Sequence, residues 1–78
     1  MNEILVFKMP NCAPCKMLEP VISKFESVTI VNTMEDIEKS MQYGVRKAPT
    51  VIHLIDGKEV GRFTGLKTEE EIKQFLKQ

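Results

Sequence analysis

Cys12 and Cys15 are the only cysteines in a chain of 78 residues, and they stand in a Cys-x-x-Cys spacing. The thiolate, not the thiol, attacks disulfides, and a free cysteine titrates at about 8.5. The first turn of a helix has unpaired N–H groups and the positive end of the helix dipole, and both favour the anionic form of a cysteine placed there. Two intervening residues let Cys15 reach back to the sulfur of Cys12, so the pair can cycle between a dithiol and a disulfide. Pro14, between them, has a fixed φ and no N–H, which suits a first helical turn where that donor has no partner.

Competing chemistries fit these residues less well. A structural zinc site takes four ligands. The chain offers two cysteines and one distant histidine, His53, so a metal would have to be shared between two chains. No residue is assigned to a metal, and no cofactor is expected. A purely structural disulfide would close a very small loop, which contributes little stability.

The elements that position the cysteines can be read from periodicity. Residues 3–8 read as a buried strand with a continuous apolar middle, and Met9-Pro10-Asn11 breaks it. Residues 13–26 are helical in pattern, with Leu18, Val21, Ile22 and Phe25 on one face. Pro20 predicts a kink, because it removes one helical hydrogen bond and clashes with the carbonyl of Lys16. The β-branched residues 28–31 form a second strand, and a helix between two such strands predicts a parallel pair. Thr33 with Asp36 resembles an N-cap for a helix over 34–43, apolar at Ile37 and Met41 and stopped by Gly44. The methionines there are expected to pack rather than to bind a metal.

Residues 45–49 form a loop before a third strand at 50–55. Asp56-Gly57 is a two-residue hairpin signal, so a fourth strand at 58–64 should return antiparallel, with a bulge or close approach at Gly61. Thr68 and Glu71 form a capping box for a last helix whose stripe is Ile72, Phe75 and Leu76. The run Glu69-Glu70-Glu71 belongs at that helix's positive end. His53 falls in mid-strand and reads as a packing residue rather than a base. The order is βαβαββα in a single domain, residues 1–78.

Lysine plus arginine total 11 and aspartate plus glutamate total 11. This balance points away from nucleic acid and from an anionic membrane surface. No apolar run approaches the ~20 residues of a membrane span, and no secretory signal opens the sequence. A cytoplasmic location is expected, where a cysteine pair is more often catalytic than structural.

Three segments carry a family resemblance. Cys12-Ala13-Pro14-Cys15-Lys16-Met17, with Pro20, resembles the CGPCKM active-site helix of the thioredoxin family. Tyr43-Gly44-Val45-Arg46-Lys47-Ala48-Pro49-Thr50 resembles the YGIRGIPT segment that holds the family's cis-proline. Asp56-Gly57-Lys58-Glu59-Val60, then Gly65-Leu66, resembles the hairpin and glycine before the last helix. The resemblance implies an α/β thioredoxin fold in a minimal form, a four-stranded mixed sheet with helices on both faces, lacking the family's usual extra N-terminal strand and helix.

It also implies roles. Cys12 would be the nucleophile and Cys15 the resolving thiol. Pro49 would be cis, bringing the backbone of Ala48 beside the disulfide to pair with an extended substrate segment, and Asn11 and Gly65 would flank that groove. The implied activity is reduction of protein disulfides by a monomer, with electrons from a thioredoxin reductase-type donor or, alternatively, glutathione, and with no nucleic-acid or membrane partner. A glutaredoxin-like, glutathione-dependent reductase is the rival within the fold, but its CPYC and its Gly-Gly followed by Asp are absent; only Thr64-Gly65-Leu66 stands there. A non-catalytic binding module that docks a partner through the Pro49 groove is the alternative outside enzymes. Two departures stand out. Asn11 replaces the family's tryptophan, and Val6 stands where the family has a buried aspartate.

Overall fold

The computed structural model describes residues 1–77. Its order is β1 (Asn2–Lys8), α1 (Ala13–Ile22), β2 (Val28–Asn32), α2 (Ile37–Gln42), β3 (Thr50–Ile55), β4 (Lys58–Thr64) and α3 (Glu69–Phe75). Ile4, Leu5, Val6 and Phe7 are all buried. Side chains alternate faces along a strand, so four buried residues in a row require cover on both sides. β1 accordingly lies inside the sheet, whose order is β2-β1-β3-β4. It pairs parallel with β2 and antiparallel with β3, and β3 pairs antiparallel with β4.

The alternation divides the core in two. Ile4 and Val6 of β1 join Val51, Leu18 and Ile22 of α1 and Ile72 of α3. Leu5 and Phe7 face the other way and pack with Val31, Ile52 and Leu54 under Tyr43 and Val45, at the end of α2. The four-stranded mixed sheet with helices on both faces is therefore present as the sequence predicts. At Gly61 the ladder slips: His53 pairs with Gly61 and Leu54 with Glu59, so Val60, the neighbour of the glycine, bulges without a partner on β3.

Two helices differ from their sequence pattern. α1 runs through Pro20 but stops at Ile22, four residues short of the predicted end. Past Ile22 the amides of Lys24 and Phe25 bond three residues back, and Ser27 turns the chain into β2 with φ +58°. Phe25 still packs on the core, from this tightened turn and not from the helix. α2 is shorter than predicted and starts later. The Asn32 side chain accepts from Met34 N–H at 2.9 Å, and its carbonyl accepts from Glu35 and Asp36. This turn uses up residues 33–35, and Asp36 becomes the cap, its Oδ1 accepting from Lys39 N–H at 3.1 Å. An Asx turn competes with helix for the same amides. Ile37 and Met41 are 60% and 75% exposed, so the predicted packing of α2 through them, and of Met34, is not found. The capping box of α3 is complete in both directions, Thr68 N–H to Glu71 Oε1 at 2.9 Å and Glu71 N–H to Thr68 Oγ1 at 3.2 Å. The backbone bond at Thr68 holds the Glu71 carboxyl below its ordinary range.

Candidate active site

The chain leaves β1 at Lys8 and turns through Met9-Pro10-Asn11. Asn11 is exposed with φ +58°, a left-handed conformation that asparagine tolerates better than most residues. This turn delivers Cys12 to the N-cap of α1 with Pro14 in the first turn. The Cys12 sulfur accepts from Cys15 N–H at 3.2 Å, as a capping oxygen would. Cys12 and Cys15 form a disulfide with Cα atoms 5.2 Å apart, within the usual span of such bonds. Cys12 is partly exposed, whereas Cys15 is 4% exposed. The first cysteine therefore stands at the surface and the second inside it.

The loop before β3 closes the site. The Ala48–Pro49 bond is cis, and the Ala48 carbonyl oxygen lies 3.8 Å from Cys12 Sγ. Pro49 is buried, and its carbonyl accepts from Gly65 N–H at 3.0 Å. Ala48, Pro49 and Gly65 thus meet at one end of the sheet beside Cys12, although they come from separate connections. Gly65 has φ +86°, and a Cβ built there would meet nothing within 4 Å. Glycine serves the backbone conformation at that point, and among the described residues the space beside it is open.

His53 lies elsewhere. Its partner in β1 is Ile4, four residues before the end of the strand, or ~13 Å at ~3.3 Å per residue. It is 1% exposed, its Nε2 is 3.3 Å from Asn2 Oδ1, and its Nδ1 has no hydrogen-bond partner among the described residues. Burial lowers its pKa from the ordinary imidazole value of 6.5 by penalising the charged ring. It is a packing residue, as the sequence suggests. Val6 is 3% exposed inside the apolar cluster under α1. The nearest charges along α1 are Lys16 and Glu19, and Glu19 is held by Lys8 across to β1 at 3.3 Å. Among the described residues, no group of three or more His, Cys, Asp or Glu could hold a metal ion, and no helix is long and apolar enough to cross a membrane.

Sequence reading misses a brace behind the loop. Arg62 of β4 donates to both oxygens of Glu59 and to the Tyr43 carbonyl at 2.8 Å. The guanidinium holds the Glu59 carboxyl below its usual range. Thr50 Oγ1 donates to the Lys47 carbonyl at 2.6 Å. The Arg62–Tyr43 contact has no local sequence signal, since it joins residues 19 positions apart on different elements.

A reactive disulfide capping a helix, opposed by a cis-proline loop at one end of a mixed sheet, defines a dithiol–disulfide oxidoreductase. The Thioredoxin family model matches residues 2–78. A thioredoxin of Chlamydia caviae is 42% identical over 73 residues, covering 86% of this chain and 72% of that protein. One of Bacillus subtilis is 30% identical over 77 residues, covering 90% and 74%. The solved structure of Fasciola hepatica thioredoxin superposes with a TM-score of 0.88 at 25% identity, covering 96% of this chain and 77% of that one. The chain belongs to the thioredoxin family, and Cys12 and Cys15 are its dithiol–disulfide pair.

Proposed function

We propose that this chain reduces protein disulfides, with Cys12 as nucleophile and Cys15 as resolving thiol. The observation that supports the assignment is the unequal exposure of the two cysteine residues, the more exposed one lying beside the Ala48 carbonyl. A substrate segment pairs with the backbone of Ala48 in the groove between Asn11 and Gly65. The Cys12 thiolate attacks one substrate sulfur. The substrate S–S bond breaks, and the departing thiolate takes a proton from solvent. Cys15, deprotonated, then attacks Cys12 Sγ and expels the second substrate thiolate, which is protonated in turn. The substrate gains two electrons and two protons, and the Cys12–Cys15 disulfide is left to be reduced by a thioredoxin reductase-type donor.

The working nucleophile is the reduced form, so a compartment that keeps thiols reduced, the cytoplasm, suits this cycle. Both cysteines and the groove come from one chain, which supports action as a monomer. The core drawing on β1, α1, β3 and α3 supports a single domain over residues 1–78. Mass spectrometry of trapped adducts tests the roles. Cys15→Ser should accumulate a mixed disulfide on Cys12, because no thiol remains to resolve it, and Cys12→Ser should trap nothing. Adducts on Cys15 in the Cys12→Ser variant, with none on Cys12 in the other, would reverse the assignment. Reduction of a protein disulfide supported by glutathione and not by a thioredoxin reductase would replace the donor.

A further inference from the structure

The loop that carries Ala48 and Pro49 walls a second concavity. A cavity of about 280 Å³ is lined by Gly44, Val45, Arg46, Lys47, Arg62 and Thr64, among others. Three of its residues are cations and none is a carboxylate. Arg62 is already neutralised by Glu59 and tied to Tyr43. Arg46 and Lys47 are exposed, and among the described residues neither makes an ion pair. The whole chain carries no net charge, so two uncompensated cations side by side are a local segregation, not the signature of a basic protein.

The position of these cations matters more than their number. Lys47 and Arg46 immediately precede Ala48, whose carbonyl lies 3.8 Å from Cys12 Sγ. The loop is pinned on both sides, by Thr50 Oγ1 on the Lys47 carbonyl and by Gly65 N–H on the Pro49 carbonyl. An extended segment advances ~3.3 Å per residue. Lys47 and Arg46 stand one and two positions from Ala48, ~3–7 Å along the loop, inside the ~8 Å over which exposed charges still feel each other at physiological salt.

We infer that Arg46 and Lys47 select, among disulfide-bonded proteins, those with aspartate or glutamate within two or three residues of the attacked cysteine. The inference rests on the reading that Cys12 and Ala48 form the substrate groove. Complementary charge at such a rim acts on encounter and register. A carboxylate in the segment is drawn to the loop while its cysteine is presented to Cys12.

The test uses the full chain, reduced, and three disulfide-linked peptides that differ only beside the cysteine, carrying aspartate, glutamine or lysine. At low ionic strength kcat/KM should fall in that order over a range of about tenfold or more. The spread should collapse near ~0.5 M salt, where screening is nearly complete. The double variant Arg46→Glu, Lys47→Glu should invert the order. The double variant Lys58→Glu, Lys77→Glu, with the same charge change at the other end of the sheet, should keep it. Equal rates on all three peptides would overturn the inference and leave the reductase reading intact, whereas failure to reduce even the glutamine peptide would sink both. Inversion by the far-end variant would overturn it by showing that net charge alone decides. A glutathionylated neutral peptide reduced in preference to the aspartate peptide would overturn it by giving the groove to a tripeptide.

Discussion

As the proposed resolving thiol, Cys15 has to lose a proton in surroundings that do little to help it. It is 4% exposed, and burial raises the pKa of a thiol. It sits one turn into α1, where the dipole is weaker than at Cys12. Val6, at the position where the family resemblance calls for an aspartate, is buried with Leu18 and Ile22. The resolving step should therefore quicken as pH rises from about 6 to 9, the range in which thiols begin to ionise. Stopped-flow decay of the mixed disulfide measures it directly. Val6→Asp should flatten the profile, at a stability cost of about 1–3 kcal/mol or more for an unpaired buried polar group. A flat wild-type profile would contradict the account and point to Glu19, one turn beyond Cys15 and held by Lys8, as proton acceptor. The cysteines, Ala48, Pro49 and Gly65 were legible in the sequence because each sits in a motif with fixed spacing. The left-handed Asn11 and the Arg62 brace to Tyr43, 19 positions away, were not, because backbone sign and strand neighbours have no local signature.

Strands and the α3 cap were easier to read than the end of α1 and the start of α2. A run such as Ile4 to Phe7 has few alternatives to a buried strand, and Thr68 with Glu71 states its own geometry. α2 was harder, since an asparagine turn and a capping aspartate compete for the amides that periodicity assigns to a helix. The consequence is measurable. Ile37 and Met41 lie on the exposed side of α2, so Ile37→Lys and Met41→Lys should each change stability by no more than about 0.5 kcal/mol. Ile72, fully buried on α3 between α1 and the sheet, should lose about 2–5 kcal/mol on Ile72→Ala. Chemical denaturation separates the two cases. A loss above ~2 kcal/mol for either lysine variant would place a partner on that helix which the chain alone does not show.

At the scale of the molecule the sheet separates chemistry from a buried titratable group. The disulfide stands past the end of β1, while His53 is enclosed toward its start, its Nδ1 without a partner among the described residues and its pKa lowered by desolvation. The sign follows from linkage. Above about pH 6.5 the ring is neutral in folded and unfolded chains alike and contributes no slope. As pH falls through 6.5 the unfolded chain takes up the proton first, so stability drops by up to about 1.4 kcal/mol per pH unit until the lower folded-state pKa is reached. His53 is the only histidine, and the lowered carboxyls of Glu59, Glu69 and Glu71 act only in more acid solution. Denaturation between about pH 7 and 5 should show the slope in the wild type and lose it in His53→Phe. An unchanged slope in the variant would assign it to another group.

The proposed role of Cys12 requires the helix start to make it the activated, reachable thiol. In the reduced chain, alkylation by iodoacetamide as a function of pH, located by mass spectrometry, tests it most directly. Cys12 should react first and with an apparent pKa below the ~8.5 of a free cysteine, while Cys15 stays protected. Equal modification of both cysteines, or a Cys12 profile centred at or above ~8.5, would contradict it.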